Sequence, residues 1–129
     1  MLVSCCGFSP VFQGLCNHIC KENNLEVSFY KSVEDIISAK ENSVLDKANF
    51  KEPDLLLFDI DSSDDTPDAK IVTSLRTSFP KAFVVPSVDS RFVDFTKQAL
   101  LRGAAGFLEK PCTKDSILQI IQITLFSRN

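Results

Sequence analysis

At 129 residues, 44 % of them hydrophobic and 24 % charged, the chain has the composition of one globular domain with one core rather than of a disordered segment. Its formal charge of −3 provides no basic field to hold a phosphate backbone, which argues against direct nucleic-acid binding. No apolar run approaches the roughly 18 residues of a membrane span, and the apolar start lacks the basic flank and length of a signal peptide. The five cysteines have no regular disulfide spacing, which suits a reducing compartment, so the cytoplasm is the expected location.

In chain order, short apolar runs at 2–6, 25–30, 55–60, 82–88 and 105–108 are each followed by a stretch with helical spacing. In the first helix Val11, Phe12, Leu15, Cys16, Ile19 and Cys20 form one apolar stripe, and Pro10 suits its first turn. Ser32 is placed to cap a second helix from Val33 towards Ala48, although "AKENSVLDKANFKE" is polar enough for its end to be a loop. A third helix is expected between Pro67 and Phe79. A fourth should run from about Ser90 to Arg102, stopped by Gly103, and a fifth from about Lys114 to Phe126. No repeat or linker divides the chain, so 1–129 is expected to be a single domain.

Strand–helix alternation implies a parallel sheet covered on both faces, whose inner strands are apolar throughout. The stretch "PDLLLFDID" (53–61) contains such a strand and then ends in acids. Ligands in this architecture sit beyond the carboxyl ends of the strands, at the switch in strand order, so Asp59 stands at the reactive edge. The fourth strand, "AFVVPSVDS", brings the hydroxyl of Ser87 to the same edge, and "GAAGFLEKP" brings Lys110. An acid, a hydroxyl and an ammonium on three strand ends converge on one point.

Those residues resemble the response-regulator receiver family. The match consists of "PDLLLFDID", the hydroxyl after an apolar strand, and "ALLRGAAGFLEKP" with its Ala-x-x-x-Gly-Ala spacing, aromatic residue and Lys-Pro ending. It spans the chain apart from a longer second-helix region and about one extra residue after Asp59. The resemblance implies a flavodoxin-like α/β sandwich with a five-stranded parallel sheet in the order 2-1-3-4-5 and a cis bond between Lys110 and Pro111. It also implies Asp59 as phosphoacceptor, Ser87 and Lys110 as groups contacting the phosphoryl oxygens, and Phe107 as the switch aromatic. The implied cofactor is Mg²⁺. The implied partners are a histidine kinase or phosphotransfer protein, with a homodimer or output domain on the surface of the fourth helix, fifth strand and fifth helix. There Ile120 and Ile123 are apolar beyond the core positions Ile117, Leu118, Ile121 and Leu125. No activity beyond self-catalysed phosphoryl transfer to Asp59 is implied.

One family feature is missing. Receivers hold Mg²⁺ with an acid pair after the first strand, but this chain has "MLVSCCGFSPVF" there, and no acid precedes Glu22. The expectation is therefore an atypical receiver with impaired or absent phosphorylation that signals through protein contacts. Two readings of Asp61 stand beside it. Its carboxylate points the same way as that of Asp59 in an extended strand and is a candidate substitute metal ligand, or it belongs with Asp64 and Asp65 to a solvated acidic loop. A third reading is a redox or metal sensor using Cys5, Cys6 and Cys112 at one edge, or Cys16 and Cys20 with His18. Against it stand the apolar stripe around Cys16 and Cys20 and the absence of Cys-x-x-Cys spacing.

Overall fold

Runs of apolar residues with no polar alternation can be satisfied only where both sheet faces are covered, and the computed structural model, which describes residues 1–46 and 50–127, covers both. Its elements are β1 (Leu2–Cys6), α1 (Pro10–Glu22), β2 (Glu26–Tyr30), α2 (Val33–Asp46), β3 (Leu55–Asp59), α3 (Lys70–Ser78), β4 (Phe83–Val88), α4 (Val93–Leu101), β5 (Leu108–Glu109) and α5 (Lys114–Ser127). All neighbouring strands pair in parallel in the order β2-β1-β3-β4-β5, a flavodoxin-like three-layer sandwich.

The period of two along β3 divides "LLLF" between two cores. Leu56 and Phe58 enter a cluster with Ile36, Val72, Leu75 and Phe95 from α2, α3 and α4. Leu55 and Leu57 enter another with Cys16, Ile19, Ile117 and Ile121 from α1 and α5. Leu55, Leu56, Leu57 and Phe58 are all fully buried, which makes this strand a rigid support for the acid at its end.

Local signals in the sequence set the element ends. Ser9 caps α1 by accepting a hydrogen bond from the Phe12 backbone N–H, with Pro10 following in the first turn. The Ser32 hydroxyl accepts from the Asp35 N–H at the start of α2. The expected course of α2 towards Ala48 passes beyond Asp46, outside the described residues. After α4, Gly103 has φ +100°, and a Cβ built there would lie 2.0 Å from an Arg76 guanidinium nitrogen. Gly103→Ala should therefore lower stability by about 1–2 kcal/mol, from left-handed backbone strain and displacement of the Arg76 side chain. Denaturant unfolding at unchanged m-value measures this.

Three expectations need correction. The fifth strand, expected over 105–108, is only Leu108–Glu109, paired with Ser87 and Val88. Ala105 donates one bond to the Val84 carbonyl, but Gly106 and Phe107 leave the ladder. Val11 is 84 % exposed rather than part of the core stripe, because an apolar band two residues wide per turn buries only its centre, Cys16, Ile19 and Cys20. On α5 Leu125 is exposed while Thr124 is buried, its hydroxyl bonded to the Ile120 carbonyl.

Candidate functional site

The strand register assembles the site. Asp59 at the end of β3 pairs with Ser87 on β4, and Ser87 pairs with Leu108 on β5, two residues before Lys110. The Lys110 ammonium lies 2.8 Å from Asp59 Oδ1 and also donates to the Ile60 carbonyl at 2.5 Å and the Ser62 hydroxyl at 3.3 Å. An ammonium has three protons, and each has an acceptor here. The Lys110–Pro111 bond is cis, as expected.

Asp59 and Lys110 each retain 24 % side-chain exposure. Burial holds the Asp59 carboxyl above its ordinary value, against the opposing bond and charge of Lys110, and the nearby charge of Asp61 pushes the same way as burial. Ser87 is buried, with its hydroxyl 3.2 Å from Cys112 Sγ. Phe107 is 43 % exposed and, with Val93, Thr96 and Glu109, lines a separate surface cavity of about 250 Å³ between α4 and β5.

Asp61 stands apart from this group. Its side chain is exposed, and Oδ1 accepts from both the backbone N–H and the hydroxyl of Ser63, bonds that pull its carboxyl below the usual value. It shapes the loop after β3. At the β1–α1 junction Cys6 turns into the α2–α3 core, Phe8 lines the cavity above Asp59, and Gly7, at φ +81°, has no side chain. A Cβ built on Gly7 would lie 3.8 Å from the Asp59 Cβ, so this is where an acid would reach the site.

The described residues offer Mg²⁺ few free donors, since no acid stands at the β1–α1 junction. That ion requires near-octahedral oxygen ligation, commonly with one or two carboxylates, whereas one Asp59 oxygen is taken by Lys110 and one Asp61 oxygen by Ser63. Among the described residues no group of three or more His, Cys, Asp or Glu side chains could hold a metal ion.

The cysteines do not gather at one edge. Cys6 faces one core cluster and Cys5 the other. Cys5 and Cys16 sulfurs lie 3.6 Å apart in the interior. Burial, reinforced by Asp35 and Glu34, pushes the Cys6 thiol up to about 12, and burial likewise raises Cys112. Burial of this kind keeps a thiol protonated at neutral pH. His18 points outward and pairs with Glu22 at 3.0 Å.

Sequence reasoning missed the carbonyl and hydroxyl that share Lys110 and the contact between Ser87 and Cys112. It also missed the stacking of Phe8 on Phe12, with ring centroids 3.8 Å apart, at the mouth of a cavity of about 580 Å³ whose base includes Asp59, Ser87 and Lys110. The one available signal was the "FSPVF" spacing, which places the two rings one helical turn apart across the α1 cap. No helix among the described residues is long and apolar enough to cross a membrane.

No protein-family model matches the sequence, and no curated protein matches it. Among solved structures the chain is similar to NtrX from Brucella abortus, with a TM-score of 0.75 and 16 % identity over 98 % of this chain and 27 % of that one. It is similar to a CheY-like response regulator receiver domain protein from Methanospirillum hungatei, with a TM-score of 0.76 and 16 % identity over 98 % and 94 %. A third likeness is to the complex of the Saccharomyces cerevisiae histidine phosphotransfer signalling protein Ypd1 with the receiver domain of its response regulator Ssk1, with a TM-score of 0.68 and 12 % identity over 95 % and 86 %. The chain thus spans 27 % of the NtrX chain's length. The fold is that of the receiver domains of two-component response regulators.

Proposed function

We propose that this domain is an atypical receiver of two-component signal transduction, in which Asp59 is phosphorylated poorly or not at all and the signal passes through protein contacts. The observation that carries this reading is the direct neutralisation of Asp59 by Lys110, beside a β1–α1 junction of Cys6, Gly7 and Phe8 that supplies no carboxylate. Phosphoryl transfer to an aspartate depends on offsetting its charge and that of the phosphoryl oxygens, and Lys110 brings a single positive charge. The test is phosphotransfer from a phosphorylated histidine donor with and without Mg²⁺, for which this reading expects no metal-dependent labelling. The competing reading, an Mg²⁺-dependent phosphoacceptor with Asp61 as substitute ligand, draws on the proximity of the two carboxylates, since the charge of Asp61 is felt at Asp59. It requires Asp61 to give up Ser63 and Asp59 to loosen from Lys110. On our reading the domain catalyses no other reaction.

The partner in this proposal is a histidine kinase or phosphotransfer protein, the kind of protein crystallised with the receiver domain of Ssk1. A homodimer or output domain is placed on the surface of α4, β5 and α5. A receiver dimer is known for the structurally similar NtrC4 domain. Of the two interface positions inferred from sequence, Ile123 is 46 % exposed, whereas Ile120 is partly buried against the core, with its Cδ1 3.3 Å from where a Gly106 Cβ would stand. Phe126, 85 % exposed and three residues on from Ile123, takes its place on the outer face. Ile123→Lys with Phe126→Lys should weaken self-association or partner binding by about tenfold or more, the loss of two apolar anchors, and leave thermal stability nearly unchanged. Unchanged mass by light scattering together with unchanged partner binding would refute the interface.

A further inference from the structure

The cavity above Asp59 has the size and make-up of a small-molecule site, and its charge selects the ligand. At about 580 Å³ it falls within the roughly 300–1,000 Å³ common for such pockets, with apolar walls and a few polar groups. Its walls are Phe8, Phe12, Leu15 and Pro111, and its charged members are Asp59, Asp89 and Lys110.

Lys110 is an unsuitable partner for an incoming anion, because its three protons go to Asp59, Ile60 and Ser62. Arg91, next but one to Asp89 in sequence, has its guanidinium over the Phe92 ring at 4.7 Å. Lys110 engages Oδ1 of Asp59, leaving Oδ2 for a donor from the cavity, and the Asp89 carboxylate at the wall adds a second negative charge. The lining therefore carries a net charge of −1 beside aromatic faces, an arrangement that favours a cation over a neutral or anionic group.

We propose that this cavity binds a small organic ammonium ion with an apolar body, its charge at Asp59 and Asp89 and its body against Phe8, Phe12 and Leu15. The proposal rests on the reading that the site is not loaded with metal and a phosphoryl group. The ligand's apolar part replaces water at the α1 wall, and its ammonium protons go to the carboxylate oxygens not already engaged, since Lys110 holds Asp59 Oδ1 and the Arg91 backbone N–H donates to Asp89 Oδ1.

The experiment compares three probes of one shape, 2-phenylethylammonium, 2-phenylethanol and 3-phenylpropanoate, by amide NMR titration of the full chain. The ammonium should bind about threefold to tenfold more tightly than the alcohol, the range for a partly solvated charge pair, and the propanoate more weakly than either. Shifts should centre on Phe8, Phe12 and Asp59. Asp89→Asn should reduce the preference of ammonium over alcohol, and Phe12→Ala should weaken both. Equal binding of the three probes, tightest binding of the propanoate, or shifts remote from α1 would overturn the proposal. Parallel samples with Mg²⁺ alone separate the two claims. Saturable Mg²⁺ binding at Asp59 refutes the metal-free reading, whereas failure of the ammonium with no Mg²⁺ binding refutes only the ligand.

Discussion

Wild-type protein incubated with Mg²⁺ and a small phosphoryl donor such as acetyl phosphate is expected to remain unmodified at Asp59, while Gly7→Asp acquires measurable phosphorylation. Two unit charges about 4 Å apart repel by roughly 4 kcal/mol at an effective dielectric of about 20. A site unable to offset that repulsion with a divalent ion loses about three powers of ten in rate. Gly7 is the position from which an acid reaches the site, since its Cβ would stand at ordinary contact distances, 3.8 Å from the Asp59 Cβ and 3.7 Å from the Lys31 carbonyl. The backbone there is left-handed, which costs a non-glycine residue about 1 kcal/mol, less for Asp or Asn than for most. Gly7→Asn is therefore the matched control, with the same backbone cost and no charge. Intact-mass spectrometry should show the phosphoryl adduct in Gly7→Asp and in neither wild type nor Gly7→Asn. An adduct on Asp59 in the wild type at a rate close to that of Gly7→Asp would refute the account.

The second large effect concerns the ion pair as structure. Lys110→Met should destabilise the fold by about 2–4 kcal/mol, because a half-buried carboxylate loses its counter-charge and the Ile60 carbonyl and Ser62 hydroxyl lose a donor. Asp59→Asn should behave oppositely. Burial outweighs Lys110 in setting the Asp59 carboxyl above its ordinary value, so the folded state holds this proton more tightly than the unfolded chain. The contribution of Asp59 to stability is then most favourable below the unfolded value of 3.8, declines as pH rises through the folded value, and stays low at neutrality. Asp59→Asn should accordingly match or exceed wild-type stability at neutral pH, with the advantage vanishing as the pH falls towards 3.8. The Lys110→Met, Asp59→Asn double variant should recover most of the loss from Lys110→Met. Urea unfolding of the four proteins across this pH range measures both effects. A loss in Asp59→Asn at neutral pH as large as that in Lys110→Met would show that the pair is net stabilising and contradict the account.

The readable parts of the chain were those where one physical demand dominates. An inner parallel strand must be apolar on both faces, so "LLLF" identified β3 and placed Asp59 at its end. Ser32, Pro10 and Gly103 punctuated helices for reasons of hydrogen bonding and backbone geometry that act within a few residues. The misreadings came from positions decided by neighbours distant in sequence. Val11 belongs to the apolar pattern of α1, but it stands exposed at the cavity rim. The run at 105–108 has strand composition but only one partner strand, and the ladder lasts just two residues. Asp61, for which a metal-ligand and a solvated-loop reading both stood open, lies past the end of the strand with its carboxylate bonded to Ser63 in the following turn, a local bond that strand alternation does not encode. The cavity itself was invisible in sequence, because its walls come from α1 and from the ends of β3, β4 and β5.

The central claim, that Asp59 is served by Lys110 in place of a metal ion, is tested most directly by titrating Mg²⁺ into the wild-type protein while following amide NMR shifts of residues 58–62, with and without beryllofluoride. The account predicts weak, non-saturating shifts, no beryllofluoride adduct, and the same response in Asp61→Asn. Saturation at about millimolar Mg²⁺, a level ordinary for one or two carboxylates with water, abolished by Asp61→Asn and accompanied by a beryllofluoride adduct, would contradict it.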